Sequence, residues 1–203
     1  MEDKMGKARS PRYPAIGLEE AIQRIEAVYK KDYQNKIPKR VVAEHMGYAS
    51  LNGKSLGVIS AAAKYGLLEG RADEMRVSDE ALEMIAHAPG SPERVAAIKA
   101  AASKPELFAE LDQKFLGGKA SDSAIRSYLI TQKFLPRAAD IILRSYRGTK
   151  EVVAAEAAEN RELACVEDGL NQGGETDSSG EFGSRGEHLK MEGSCALSSG
   201  ERV

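Results

Sequence analysis

Three features of the 203-residue sequence predict a mainly α fold with one small β element and an unstructured end. Apolar residues recur every three or four positions through most of the first 150 residues, the period of a helix with one buried face. One stretch near residue 70 instead reads as two short strands about a Gly-containing turn. From Gly169 onward the chain holds eight Gly and six Ser among isolated apolar residues, too little apolar surface to offset ordering entropy.

Leu18 to Lys30 opens the ordered part, with Leu18, Ala21, Ile22, Ile25, Val28 and Tyr29 on one face. Glu19 and Glu20 suit its first turn, where carboxylates meet the positive end of the helix dipole. After KDYQNK, Pro38 is expected in the first turn of a short helix, Lys39 to Met46, which Gly47 ends. Ser50 is the expected N-cap of a third helix, although Gly53 and Ser55 leave that start open by a few residues. Its apolar face is Leu56, Ile59 and Ala62 or Ala63, and it stops at Tyr65-Gly66. Leu67 to Glu69 and Met75 to Val77 are the expected strands, with Gly70 to Glu74 as their turn. Ser78 then caps a helix over Asp79 to Ala86.

The order helix, short helix, turn, helix, hairpin, helix is that of a winged helix-turn-helix, here placed at 12–90 after a flexible start, 1–11. Residues 91–150 read as a helical bundle. Ser91-Pro92 opens a helix to Ala102, and Lys104-Pro105-Glu106 opens one that ends at Gly117-Gly118. Ser121 or Asp122 caps a third through Lys133, and Pro136 opens a fourth that closes near Gly148. Leu107, Phe108, Leu111, Phe115, Ile125, Leu129, Ile130, Phe134, Ile141, Ile142 and Tyr146 are the expected core of this half. Residues 151–167 suit a frayed helix and 168–203 a disordered tail, with no internal repeat anywhere.

The strings GYASLNGKSLGVISAAAKYGLLEG, RVSDEAL, PELFAELDQKF and AADIILRSYRGT carry a resemblance over about residues 12–152. They resemble an uncharacterised prokaryotic family with a winged-helix-like domain. That resemblance implies the fold and a cytoplasmic prokaryotic setting, and it brings neither an activity nor binding residues.

Charge is unevenly spread. Residues 1–78 carry 14 basic and 10 acidic side chains, 79–150 carry 11 and 9, and 151–203 carry 4 and 12. A mildly basic body is followed by an acidic end, which would shield the body, recruit a basic partner or merely be solvated. No apolar run reaches the roughly 18 residues of a membrane helix, and MEDKMGKARSPRYP lacks the apolar core of a signal peptide, so a cytoplasmic protein without membrane contact is expected.

A basic winged helix points to double-stranded DNA, where phosphate contacts supply affinity and base contacts specificity. Lys36, Lys39 and Arg40 around the second helix, Arg71 and Arg76 on the hairpin, and Lys54 and Lys64 flanking the third helix are the phosphate candidates. Asn52, Lys54 and Ser55 are the polar residues placed to meet base edges, because that helix enters the major groove by its N-terminal end. The third helix is also rich in small residues, Gly57, Ser60 and Ala61 to Ala63, and has no Arg. Weak or non-specific binding, or binding as a homodimer, follows. So does the alternative, a winged-helix adaptor that contacts a protein partner through this small-residue face.

No enzyme chemistry is expected. His45, His87 and His188 have no second ligand at metal spacing, so no metal site is predicted, and Cys165 and Cys195 make neither a disulfide framework nor a metal clip. FLGGKAS fails as a phosphate loop, since position 113 is Gln and Ala120 follows Lys119. No cofactor is implied.

Overall fold

The computed structural model describes residues 13–117 and 119–170; the flexible start and the tail beyond 170 expected from sequence lie outside these. The elements are α1 (Leu18–Asp32), β1 (Ile37–Pro38), α2 (Lys39–His45), α3 (Gly53–Lys64), β2 (Leu68–Arg71), β3 (Glu74–Val77), α4 (Asp79–Ala86), α5 (Pro92–Ser103), α6 (Glu106–Lys114), α7 (Asp122–Thr131) and α8 (Pro136–Leu170). The described residues are therefore mainly helical with one three-stranded antiparallel sheet, ordered β1-β3-β2. None of its described helices is long and apolar enough to cross a membrane.

Strand β1 is an addition to the expected elements. Pro38 does not enter the helix but stands at its N-cap with extended backbone, φ -61° and ψ 146°, which lets Ile37 and Pro38 pair with Met75 and Glu74. A proline suits a two-residue strand at the sheet edge, where its missing N–H costs no ladder bond. The hairpin is tighter than the sequence suggests: β2 runs through Arg71, and only Ala72 and Asp73 turn. Gly70 permits this, because its φ of +153° suits no L side chain and a Cβ there would collide with the Glu74 carbonyl.

One apolar core runs from Leu18 and Ile25 of α1 through Val58 and Ile59 of α3 to Ile98, Leu111, Leu129 and Ile142 of the later helices. Its centre is aromatic. Phe108 lies 6.2 Å from Tyr65 and 5.3 Å from Tyr146, ring centre to ring centre, and so joins the end of α3 to α8. Around Tyr65 the buried polar groups are satisfied: its hydroxyl donates to the Ile16 carbonyl at 2.9 Å and sits 3.0 Å from Thr149 Oγ1, which also accepts from Leu18 N. Burial pushes the Tyr65 phenol above its ordinary pKa, and the Thr149 contact opposes this only in part.

Four boundary or face expectations are corrected. Asn52, not Ser50, caps α3. The face of α3 that meets the core is Ser55, Val58, Ile59, Ala61 and Ala62, which turns Leu56 out to 44% exposure. Ile130 and Ile141 are likewise exposed rather than part of the shared core.

The largest departure is α8, which continues through Gly148 to Leu170. A helix-interior glycine costs about 1 kcal/mol relative to alanine, too little to end a helix whose following turns are held by contacts. Beyond Gly148, Val152 and Val153 pack on the core while Glu156 is buried.

Candidate nucleic-acid interface

The connection from α2 to α3 is braced before any charge is presented. Arg24 of α1 donates to the Met46 carbonyl at 2.6 Å and lies 5.5 Å from the Tyr48 ring centre. Gly47, at φ +89°, turns the chain between them. At the same end of α2, His45 Nε2 lies 2.5 Å from Asp32 at the end of α1. These contacts hold the C-terminal end of α2 against α1 at two points.

The entrance to α3 is a capping box. Asn52 Oδ1 accepts from Lys54 N at 2.9 Å and Ser55 N at 3.1 Å, while Ser55 Oγ lies 2.8 Å from Asn52 N and accepts its proton. Two of the three residues expected to read bases are thus occupied by the helix itself. Ser55 is fully buried, which leaves it no edge to offer a base, and the Asn52 carbonyl oxygen is committed to backbone amides although the residue is exposed. Lys54 stands out from the same turn, exposed and without an ion-pair partner among the described residues.

The other candidates divide by what surrounds them. Arg40 pairs with Glu44 one turn on at 3.1 Å. Lys64 donates to Ser60 Oγ at 2.8 Å, and partial burial lowers the pKa of its ammonium. Lys39 donates to the Ala72 carbonyl at the hairpin turn, which ties the start of α2 to the tip of the sheet. Arg76 pairs with Glu69 directly across the β2–β3 ladder. Arg71 is exposed and has no ion pair among the described residues, and the same holds for Lys36. Exposed ion pairs contribute about 0–1 kcal/mol, so Arg40 and Arg76 remain available to a phosphate.

Two concavities gather these side chains. Lys36, Arg71 and Arg76 line one of ≈ 350 Å³ together with Glu69 and Glu74. Lys54 lines another of ≈ 410 Å³, beside Tyr48, Gly57 and Arg144 of α8. Arg144 is exposed and unpaired among the described residues, and sequence reasoning missed it. No local pattern could have found it, because 90 residues separate it from Lys54 and only the packing of α8 along α1 makes them neighbours. No known family model, curated protein or solved structure matches this chain.

The exposed side of α3 and the residues just before it otherwise carry small side chains and two leucines. Leu51 and Leu56 are 38% and 44% exposed, next to Gly57, Ser60 and Ala63. What the surface offers is therefore scattered cations around a small apolar strip.

Proposed function

We propose that the N-terminal half is a winged helix and that it binds double-stranded DNA weakly, chiefly through phosphates, in a regulatory or DNA-associated accessory role. The observation that carries this reading is the order α1-β1-α2-α3-β2-β3 with β1 pairing on β3, so that a hairpin leaves the sheet directly after a capped helix. In such a domain α3 enters the major groove and the hairpin is the wing. Lys54, on the exposed first turn of α3, and Arg71, on the hairpin, are the phosphate contacts, with Lys36, Arg76 and Arg40 as reinforcement. The small side chains of α3 and the commitment of Asn52 and Ser55 to its cap favour backbone contacts over base readout.

Fluorescence anisotropy of the full chain with a random-sequence duplex, titrated across salt, tests this. Affinity should fall steeply with salt, and removing Lys54 and Arg71 together should flatten the log-log slope by about 2, one per phosphate contact. Absence of binding at low salt, or an unchanged slope in the double variant, overturns the assignment.

A second reading has its own observation. The exposed Leu51 and Leu56 on a face of small side chains favour contact with a protein. If that is the role of α3, Leu51→Ser with Leu56→Ser abolishes the association and leaves duplex affinity unaltered.

A further inference from the structure

A separate surface lies between α1, α4 and α8, where the helices leave an open groove of ≈ 360 Å³. Its floor is apolar: Ile22 of α1, Met84 and Ile85 of α4, and Val152 of α8. Its walls are acidic, with Glu19 and Glu26 on the α1 side and Glu151 and Glu159 on the α8 side. Arg94 is the one cation in its lining, and that guanidinium is already held by Glu156 at 2.8 Å. Glu26 has Lys30 at 3.6 Å, whereas Glu19, Glu151 and Glu159 meet no cation among the described residues.

Hydrogen bonds tie the groove's margins together. Arg94 also donates to the Met84 carbonyl, Glu156 Oε2 accepts from Gly90 N at 3.1 Å, and Asn160 donates to the Gly90 carbonyl at 2.7 Å. Gly90 lies so close to α8 that a Cβ there would stand 3.0 Å from Glu159. The turn between α4 and α5 is thereby clamped to α8, which fixes the distance between floor and wall.

The spacing of the carboxylates selects the occupant. At about 1.5 Å per residue, Glu151 and Glu159 stand roughly 12 Å apart along α8, and Glu19 and Glu26 roughly 10 Å apart along α1. Two acidic rails of about two helical turns thus flank an apolar strip. The walls are helices whose backbone groups bond internally, so they offer an extended peptide no edge to pair with. We propose that this groove docks a basic amphipathic helix of a partner protein, its apolar side on Ile22, Ile85 and Val152 and its Lys or Arg side chains against Glu19, Glu151 and Glu159. Charge complementarity is the argument: a cationic helix supplies the counter-charges that this surface lacks and covers the half-buried apolar side chains of Ile22, Ile85 and Val152. This proposal does not depend on the DNA-binding reading, since it uses none of the same residues.

The test uses the full chain and a fluorescent designed peptide of about four helical turns, with Leu at positions i, i+3, i+4 and i+7 and Lys elsewhere. Anisotropy should rise on binding, and Glu151→Lys with Glu159→Lys should weaken affinity by about tenfold or more. Glu93→Lys with Glu106→Lys, on exposed carboxylates elsewhere, should leave it within about twofold. A scrambled peptide of the same composition should bind far less, as should the version with Glu in place of Lys. Three results overturn the proposal. One is equal binding of the scrambled peptide, and another is equal weakening by both pairs of substitutions. The third is a self-associated chain that Glu151→Lys with Glu159→Lys dissociates in sedimentation equilibrium, which would make a second copy the occupant.

Discussion

Asn52 shows how one side chain can be claimed by architecture rather than by a ligand. Its oxygen accepts from two amides of the first turn of α3, and Ser55 returns the bond, so the pair sets where the helix begins. Asn52→Ala should lower the unfolding free energy by about 1 kcal/mol, read from the urea midpoint, while Asn52→Asp keeps the cap and the stability. On the DNA-binding reading, Asn52→Asp should still weaken duplex affinity, since it brings a negative charge beside Lys54. Tyr65 is a fully buried phenol at the centre of the core. Its folded pKa is raised by burial, so its contribution to stability is complete below the unfolded phenol's value and is lost as pH rises above it. The melting temperature should therefore fall above pH about 10, where unfolded tyrosine ionises, and Tyr65→Phe should make that fall shallower. A wild-type and a variant that decline in parallel would remove Tyr65 as the cause.

Among the elements, α8 does the most to hold the others in place. Phe108 and Tyr146 join it to α6, Thr149 joins it to α1 and α3, and Glu156 joins it to the α4–α5 turn. Glu156 is 8% exposed and has two partners, the Arg94 guanidinium and the Gly90 amide. Glu156→Ala should cost about 3 kcal/mol in chemical unfolding, because it strands a largely buried guanidinium. Arg94→Met combined with Glu156→Leu should recover part of this loss, though not all, since Gly90 N–H then lacks its acceptor. Full recovery would mean that the pair, and not the glycine contact, carries the whole effect.

For the whole molecule, a single core joins the hairpin-bearing half to the helices that follow. The helix that spans both halves does not stop where the sequence suggests a boundary. A chain ending at Lys150 loses Val152, Val153, Glu156 and Asn160, and should melt well below one ending at Leu163; equal melting temperatures would show the added turns to be dispensable. The same comparison matters for function, because the acid-walled groove needs Glu151 to Glu159, whereas Lys54 and Arg71 do not. The duplex and peptide assays should accordingly separate: the shorter chain loses the peptide while it retains the duplex, provided it is compared at a temperature where both are folded.

Most helices were legible along the chain because their signals are local. Periodicity places α1, serine caps place α4, α5 and α7, and Pro136 places the start of α8, each through contacts within a turn or two. The hairpin was legible for the same reason, from a glycine between two short apolar runs. Long-range packing decided the rest. Gly148 reads as a stop, yet lies in a helix that Val152, Val153 and Glu156 continue to anchor; Leu56 reads as core, yet faces outward because Val58, Ile59 and Ala62 are the residues of α3 that pack on the core. Of the candidate site, the identity of the cations could be read in advance, but not their company: that Arg76 meets Glu69, that Ser55 is sealed in a cap, or that Arg144 stands beside Lys54. Backbone propensities act over a few residues and are written in the sequence, whereas the partners of a charged side chain are chosen by whichever elements the core brings together.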